Sequence, residues 1–336
     1  TFFTAILAGG LVEMAFGITL GEDGAFWWSV SVIVVCDGIL LRGRYRTLDL
    51  IIKGIVAVLG VTAVTAAVAA FLNQPEAADV AVRAAGAADR PGTPWTLASL
   101  GFLIALMGWM PAPIELSAWT GVWMREREEQ TGYRPTVREA LIDFNTGYIA
   151  TIILSTAFLS LGALVMHPSG QSFEAAGPAF CDQLVGLFSE TIGAWAGPIV
   201  AIAAFTAMFS TTLTCLDGYP RSNAVAVAVL MGRRGEAEPR MAGRLFWTFN
   251  GFVSLMTIIV VAFLAGTLTA MIDFVTIVAF ISAPVLGFLN VRLIRSDQMP
   301  VETRPPAWLM GLAWLGMAFL LGFTLVYLAM LVGALG

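Results

Sequence analysis

Residues 103–119 read LIALMGWMPAPIELSAW, an apolar run interrupted by Pro111 and Pro113 and followed at once by Glu115 and Ser117. Each proline removes a backbone N–H and its ring clashes with the preceding turn, so the pair unwinds roughly one turn of helix. Unwinding frees backbone carbonyls near Met107 and Gly108 and creates two new helix ends. Irregular backbone at membrane depth is tolerated only where protein buries it or where it lines a polar cavity. Discontinuous helices of this kind supply ion sites near the bilayer midplane. Met110 adds a thioether, a soft donor that suits transition metals better than magnesium or calcium. The simpler reading, a proline kink that serves packing, accounts for one proline. Met-Pro-Ala-Pro with a carboxylate and a hydroxyl just beyond favours a site over that reading.

Other polar residues lie inside apolar runs, where an ionisable side chain is by default a functional candidate. Glu13 sits within residues 1–20 and is a proton or ion relay or half of an ion pair. Asp37 is expected near the membrane interface, close to Arg42. In DFNTGY, Asp143 reads as a helix cap, and Asn145, further into the span, can contribute an oxygen ligand. Ser210, Thr211, Thr212 and Thr214 form a hydroxyl cluster that either bonds back to its own helix or crosses to a neighbour. Asp217 and Arg221, four apart, read first as an interfacial ion pair, with Asp217 also a relay candidate. Asn250, Asp273, Thr276 and Asn290 are single polar residues with packing or capping roles.

These residues need elements to hold them, and the composition says which. The chain has 336 residues, 58% hydrophobic and 12% charged, with mean hydropathy +0.83. Soluble domains carry roughly 25% charged residues, so this is an integral membrane protein. Spanning about 30 Å of hydrocarbon takes roughly 20 apolar residues. The sequence predicts nine spans, at 1–20, 25–41, 48–72, 97–123, 145–166, 192–216, 243–266, 269–293 and 307–333. Residues 176–190 form an amphipathic surface helix, and 222–232 either extend the sixth span or lie at the interface. The absence of a start methionine or basic leader before residues 1–20 suggests a chain cut inside a transmembrane helix.

Alternating spans place loops 42–47, 124–144, 217–242 and 294–306 on one side. That side, with Lys53, holds sixteen of the eighteen Lys and Arg residues, and the opposite loops hold only Arg83 and Arg90. Such asymmetry marks the arginine-rich side as cytoplasmic. Three scattered cysteines suggest neither a disulfide framework nor a zinc site, and a single histidine, His167, excludes any site that needs two histidines. No cofactor or protein partner is implied.

The stretches MGWMPAPIELSAWTGVW, DFNTGYI and MFSTTLTCLDGYPR together resemble the NRAMP family of divalent-metal transporters, in particular bacterial members with Met-Pro-Ala-Pro in the broken helix. The resemblance covers essentially the whole chain. It implies an all-α polytopic LeuT-type fold of two inverted repeats, here lacking its first two helices, so that the nine spans are the third to the eleventh. By that match Met110 is the metal-binding methionine and Met107 supplies a backbone carbonyl, with Glu115, Ser117 and Asn145 as further candidate ligands. The first-helix aspartate and asparagine ligands have no counterpart here. Ala112, Pro113 and Ser117 stand where the family motif has histidine, asparagine and a second histidine. Glu115, Glu13 and Asp217 are then the candidates for carrying a proton. The implied partners are the metal ion, manganese- or iron-like, and the bilayer.

Two other readings compete. A sodium- or proton-coupled symporter of a small organic substrate has the same fold, but the soft thioether favours a metal over an organic carboxylate. A lipid-headgroup transferase is suggested only by DGYPR at 217–221, which resembles the start of the CDP-alcohol transferase signature. The Ala-Arg spacing and the second aspartate set of that signature are missing.

Overall fold

The computed structural model describes residues 1–18, 20–21, 23–42, 45–73, 103–104, 106–108, 113–163, 177–232, 238–264, 268–297, 299 and 304–332. The protein is an all-α polytopic membrane protein. Its long helices are α1 (Phe2–Phe16), α2 (Gly24–Arg42), α3 (Tyr45–Asn73), α4 (Ser117–Thr131), α5 (Val137–Leu161), α6 (Gly177–Ile192), α7 (Ala196–Leu230), α8 (Glu238–Leu264), α9 (Leu268–Ile294) and α10 (Ala307–Leu331). Among the described residues, six helices are long and apolar enough to cross a membrane: α2, α5, α7, α8, α9 and α10.

Two compact units divide the chain. The first comprises Thr1–Ala85 and Ile152–Thr269, the second Gly86–Thr151 and Ala270–Gly336. In the first unit α7 packs against α8, α1, α3, α2 and α6, and α1 packs against α2 and α6. Helix α1 is apolar on every side, and such a helix belongs inside a bundle; residues Thr4–Val12 are indeed all buried. Small residues let its neighbours approach closely. At Gly9, a β-carbon would come within 2.5 Å of Ser29 Oγ and 2.7 Å of the Ala25 carbonyl. Ala5 and Ala8 share a buried cluster with Val32, Ile33, Cys36, Leu213 and Leu216.

Several boundaries differ from the sequence expectation, each for a local reason. Helix α1 ends at Phe16 rather than near residue 20, because Gly17 turns left-handed (φ 65°) and its N–H caps the Glu13 carbonyl. Its 15 residues rise about 22 Å at 1.5 Å per residue, short of a full span. The fifth predicted span, expected from residue 145, starts at Val137. Its cap is Thr136, not Asp143: the Thr136 N–H donates to Glu139 Oε2 (2.8 Å) and the Glu139 N–H to Thr136 Oγ1 (3.3 Å). This is a capping box, so Asp143 and Asn145 lie inside the helix. The sixth predicted span continues to Leu230, so 222–232 extends the helix and Asp217 and Arg221 are helical rather than in a loop.

In the second unit, Ile104, Phe280 and Tyr327 form a buried cluster, with Met107, Ile277, Ile281, Leu320 and Phe323 packed against it. The segment before the proline pair is thus fastened to α9 and α10. After it, Ile114 sits 3.6 Å from where a Gly287 β-carbon would stand, and buried Trp119 meets Trp123 edge to face at 5.4 Å between ring centroids.

Candidate functional site

Residues 103–104 and 106–108 are helical, Pro113 is not, Ile114–Leu116 make a single 3-10 turn, and α4 starts at Ser117. The Leu116 N–H donates to the Pro113 carbonyl at 3.1 Å, closing that turn. Met110, Pro111 and Ala112 lie outside the described residues, and of Glu115 only the backbone is described, within the 3-10 turn.

Met107 precedes the break. Its side chain packs against the Ile104, Phe280 and Tyr327 cluster, which leaves the backbone carbonyl as the group it can offer a ligand. Next to it, Gly108 is pressed onto α9: a β-carbon there would collide with the Thr276 carbonyl and meet Phe280 Cβ at 3.4 Å. Thr276 is itself buried, with Oγ1 2.7 Å from the Ile272 carbonyl and 3.0 Å from that of Asp273. Beyond the break, Ser117 Oγ accepts a hydrogen bond from Asn290 Nδ2 at 3.1 Å. Asn145 is exposed on α5. Met107, Glu115, Ser117 and Asn145 therefore belong to the second unit. Among the described residues no three His, Cys, Asp or Glu side chains cluster as a metal site.

The relay candidates Glu13 and Asp217 belong to the first unit. Glu13 is half-buried in the last turn of α1, and its Oε1 is buried without a hydrogen-bond partner among the described residues. Asp217 is paired with Arg221, whose Nη2 is 2.5 Å from Oδ1. The Arg221 guanidinium also stands 5.0 Å from the centre of the Phe246 ring, a cation–π distance. The hydroxyl cluster divides in two. Thr211 donates to the Ala207 carbonyl and Thr214 to the Ser210 carbonyl, both at 2.8 Å. Thr212, fully buried, lies 2.9 Å from Thr4 Oγ1 on α1 and bridges the two helices.

One polar centre does not follow from the sequence. Asp37, expected near the interface beside Arg42, is half-buried in the bundle and accepts from Asn250 Nδ2 (3.2 Å) and Ser254 Oγ (2.9 Å) on α8. Asn250 donates its other proton to the Leu216 carbonyl on α7 at 3.0 Å. A signal for this existed in the sequence. Pro220 stands four residues after Leu216 and lacks the N–H that would normally bond that carbonyl. The spacing implies a free carbonyl, though not which helix satisfies it.

Residues 3–330 match the sequence model of the natural resistance-associated macrophage protein-like family, Nramp. An uncharacterised protein of Pasteurella multocida (strain Pm70) is 35% identical over 308 residues, which cover 91% of this chain and 67% of its own length.

Proposed function

The chain belongs to the Nramp family, a family of divalent-metal transporters rather than enzymes, and we propose that it is a secondary transporter of manganese- or iron-like ions. It works by alternating access around the break at residues 107–115, in a LeuT-type inverted-repeat fold. The membrane is the bacterial cytoplasmic membrane, with the arginine-rich loops facing the cytoplasm. Met110 supplies the soft side-chain ligand and Met107 the backbone carbonyl. Glu115, Ser117 and Asn145 are the further oxygen donors. The single observation that carries this reading is the interruption itself, within a chain that matches the family from residue 3 to residue 330. The packing of the Met107 side chain away into a hydrophobic cluster supports its role as a carbonyl ligand.

With Ala112 and Ser117 in place of the family's helix histidines, any proton coupling would use another carrier. Glu13 is the first candidate carrier, because a buried carboxyl oxygen without a donor among the described residues has a hydrogen-bonding capacity that a bound proton would use. Glu115 is the second, and Asp217, already paired with Arg221, the third.

The test is uptake into proteoliposomes. Protein reconstituted with a metal-sensitive dye inside should admit Mn²⁺, and Met110→Ala should weaken uptake and shift preference toward Mg²⁺. Unchanged preference in the variant would remove Met110 from the site.

A further inference from the structure

We propose that Gly24, the first residue of α2, is a positioning residue that holds open the place occupied by the Glu13 carboxyl. The proposal rests on the reading of Glu13 as a proton carrier and adds to it the element that sets where the carboxyl stands. Two constraints meet on Glu13. Its backbone carbonyl is tied by the Gly17 N–H at 2.8 Å, in the left-handed cap that ends α1. Its carboxyl lies directly against the backbone of Gly24: a β-carbon at that position would collide with Oε1 and stand 3.2 Å from Cδ.

Glycine at position 24 is not required by backbone conformation. Gly17 and Gly21 have φ of 65° and 82°, which favour glycine, whereas Gly24 is absent from the glycines with positive φ. It begins a regular helix, and its backbone conformation does not call for glycine. Its N–H is already used, donating to the Gly21 carbonyl at 3.1 Å. What a side chain at position 24 would disturb first is the carboxyl of Glu13, with the Leu20 Cβ further off at 3.6 Å. The missing methyl group is therefore space for a carboxylate. The atom in that space is the same Oε1 that is buried and without a partner among the described residues.

The collision at Gly24 is with the far end of a flexible side chain, so Gly24→Ala should fold and displace the carboxyl rather than the helices. A group that carries a proton must stand within hydrogen-bond reach of its donor and acceptor. A displaced carboxyl should lower proton-coupled Mn²⁺ uptake by about tenfold or more, since positioned proton transfer contributes 10²–10⁴-fold.

The experiment measures Mn²⁺ uptake and the accompanying proton influx in proteoliposomes for the unaltered protein, Gly24→Ala, Glu13→Ala and the double variant. Gly24→Ala should reduce both fluxes, lower the proton-to-metal ratio, and have no further effect once Glu13 is alanine. The infrared carboxyl band lost in Glu13→Gln should be shifted in Gly24→Ala, a signature independent of transport that also covers the case of a poorly active variant. If Glu13→Ala lowers the fluxes while Gly24→Ala leaves fluxes and band unchanged, or if the two substitutions combine multiplicatively, the role of Gly24 is overturned and Glu13 stands as carrier. If Glu13→Ala leaves both fluxes intact, the carrier reading fails, and the role of Gly24 falls with it.

Discussion

Asn250 and Leu216 are joined by a 3.0 Å hydrogen bond from the amide side chain to the backbone carbonyl, and the carbonyl is free to receive it because residue 220 is proline. Proline inside a membrane helix is tolerated when a neighbour re-satisfies the carbonyl that it strands. Here the neighbour is α8, and the same amide also holds Asp37 on α2, so one side chain fastens three helices. Asn250→Leu should strand both acceptors at a cost of about 1–3 kcal/mol each, a clear loss of melting temperature in detergent. Ser254→Ala removes one donor to Asp37 and should cost less. Equal melting temperatures for the three proteins would show that the network contributes nothing.

The contact of Gly108 with the Thr276 carbonyl makes a second prediction. In Gly108→Ala the obstacle is backbone, so either the segment before the break or α9 must shift, at about 1–3 kcal/mol for overpacking. Gly121→Ala is the control, since a β-carbon there meets nothing within 4 Å and should be neutral or slightly stabilising. Thermal melts of the two variants separate a local clash from a general intolerance of alanine.

Glu115 follows the break in a helix that has Ser117 where the family motif has a second histidine. If Glu115 carries protons, Glu115→Gln should abolish acidification of the vesicle interior during Mn²⁺ uptake. A pH-dye signal that persists at its original size would exclude it.

Cys181, on the amphipathic helix α6, donates to the Leu7 carbonyl at 3.6 Å. Burial, with a smaller effect from the Asp182 carboxylate, pushes its thiol from 9.0 up to about 12. The folded protein keeps a proton that the unfolded chain releases above pH 9, so this thiol's contribution to stability is complete below about pH 9 and is lost as the pH rises toward 12. Because the thiolate is the reactive form, a maleimide at pH 8 should leave Cys181 unmodified until the protein is denatured. Labelling at the same rate in both states would refute this.

Much of the architecture was legible in the sequence because a bilayer makes burial of backbone polar groups mandatory. Long apolar runs had to be helices, the proline pair had to interrupt one of them, and residues 176–190 read as an amphipathic helix. The break, with a methionine before it and a carboxylate after it, is likewise a property of residue order alone. Helix ends were less legible, because a left-handed glycine at 17 or a capping box at Thr136 and Glu139 outweighs hydropathy over the last few residues.

Only the tertiary structure decided which polar groups meet. That Asn250 satisfies Leu216 and Asp37, that Thr212 reaches Thr4, and that the Glu13 carboxyl rests against Gly24 are relations between residues up to 213 positions apart. No local pattern encodes such pairings. They follow from which helix faces pack together, and that is set by the fit of many small side chains at once. The sequence by itself determined a membrane-spanning helical chain with an interrupted helix. The packing decided where each carboxylate stands and what, if anything, is bonded to it.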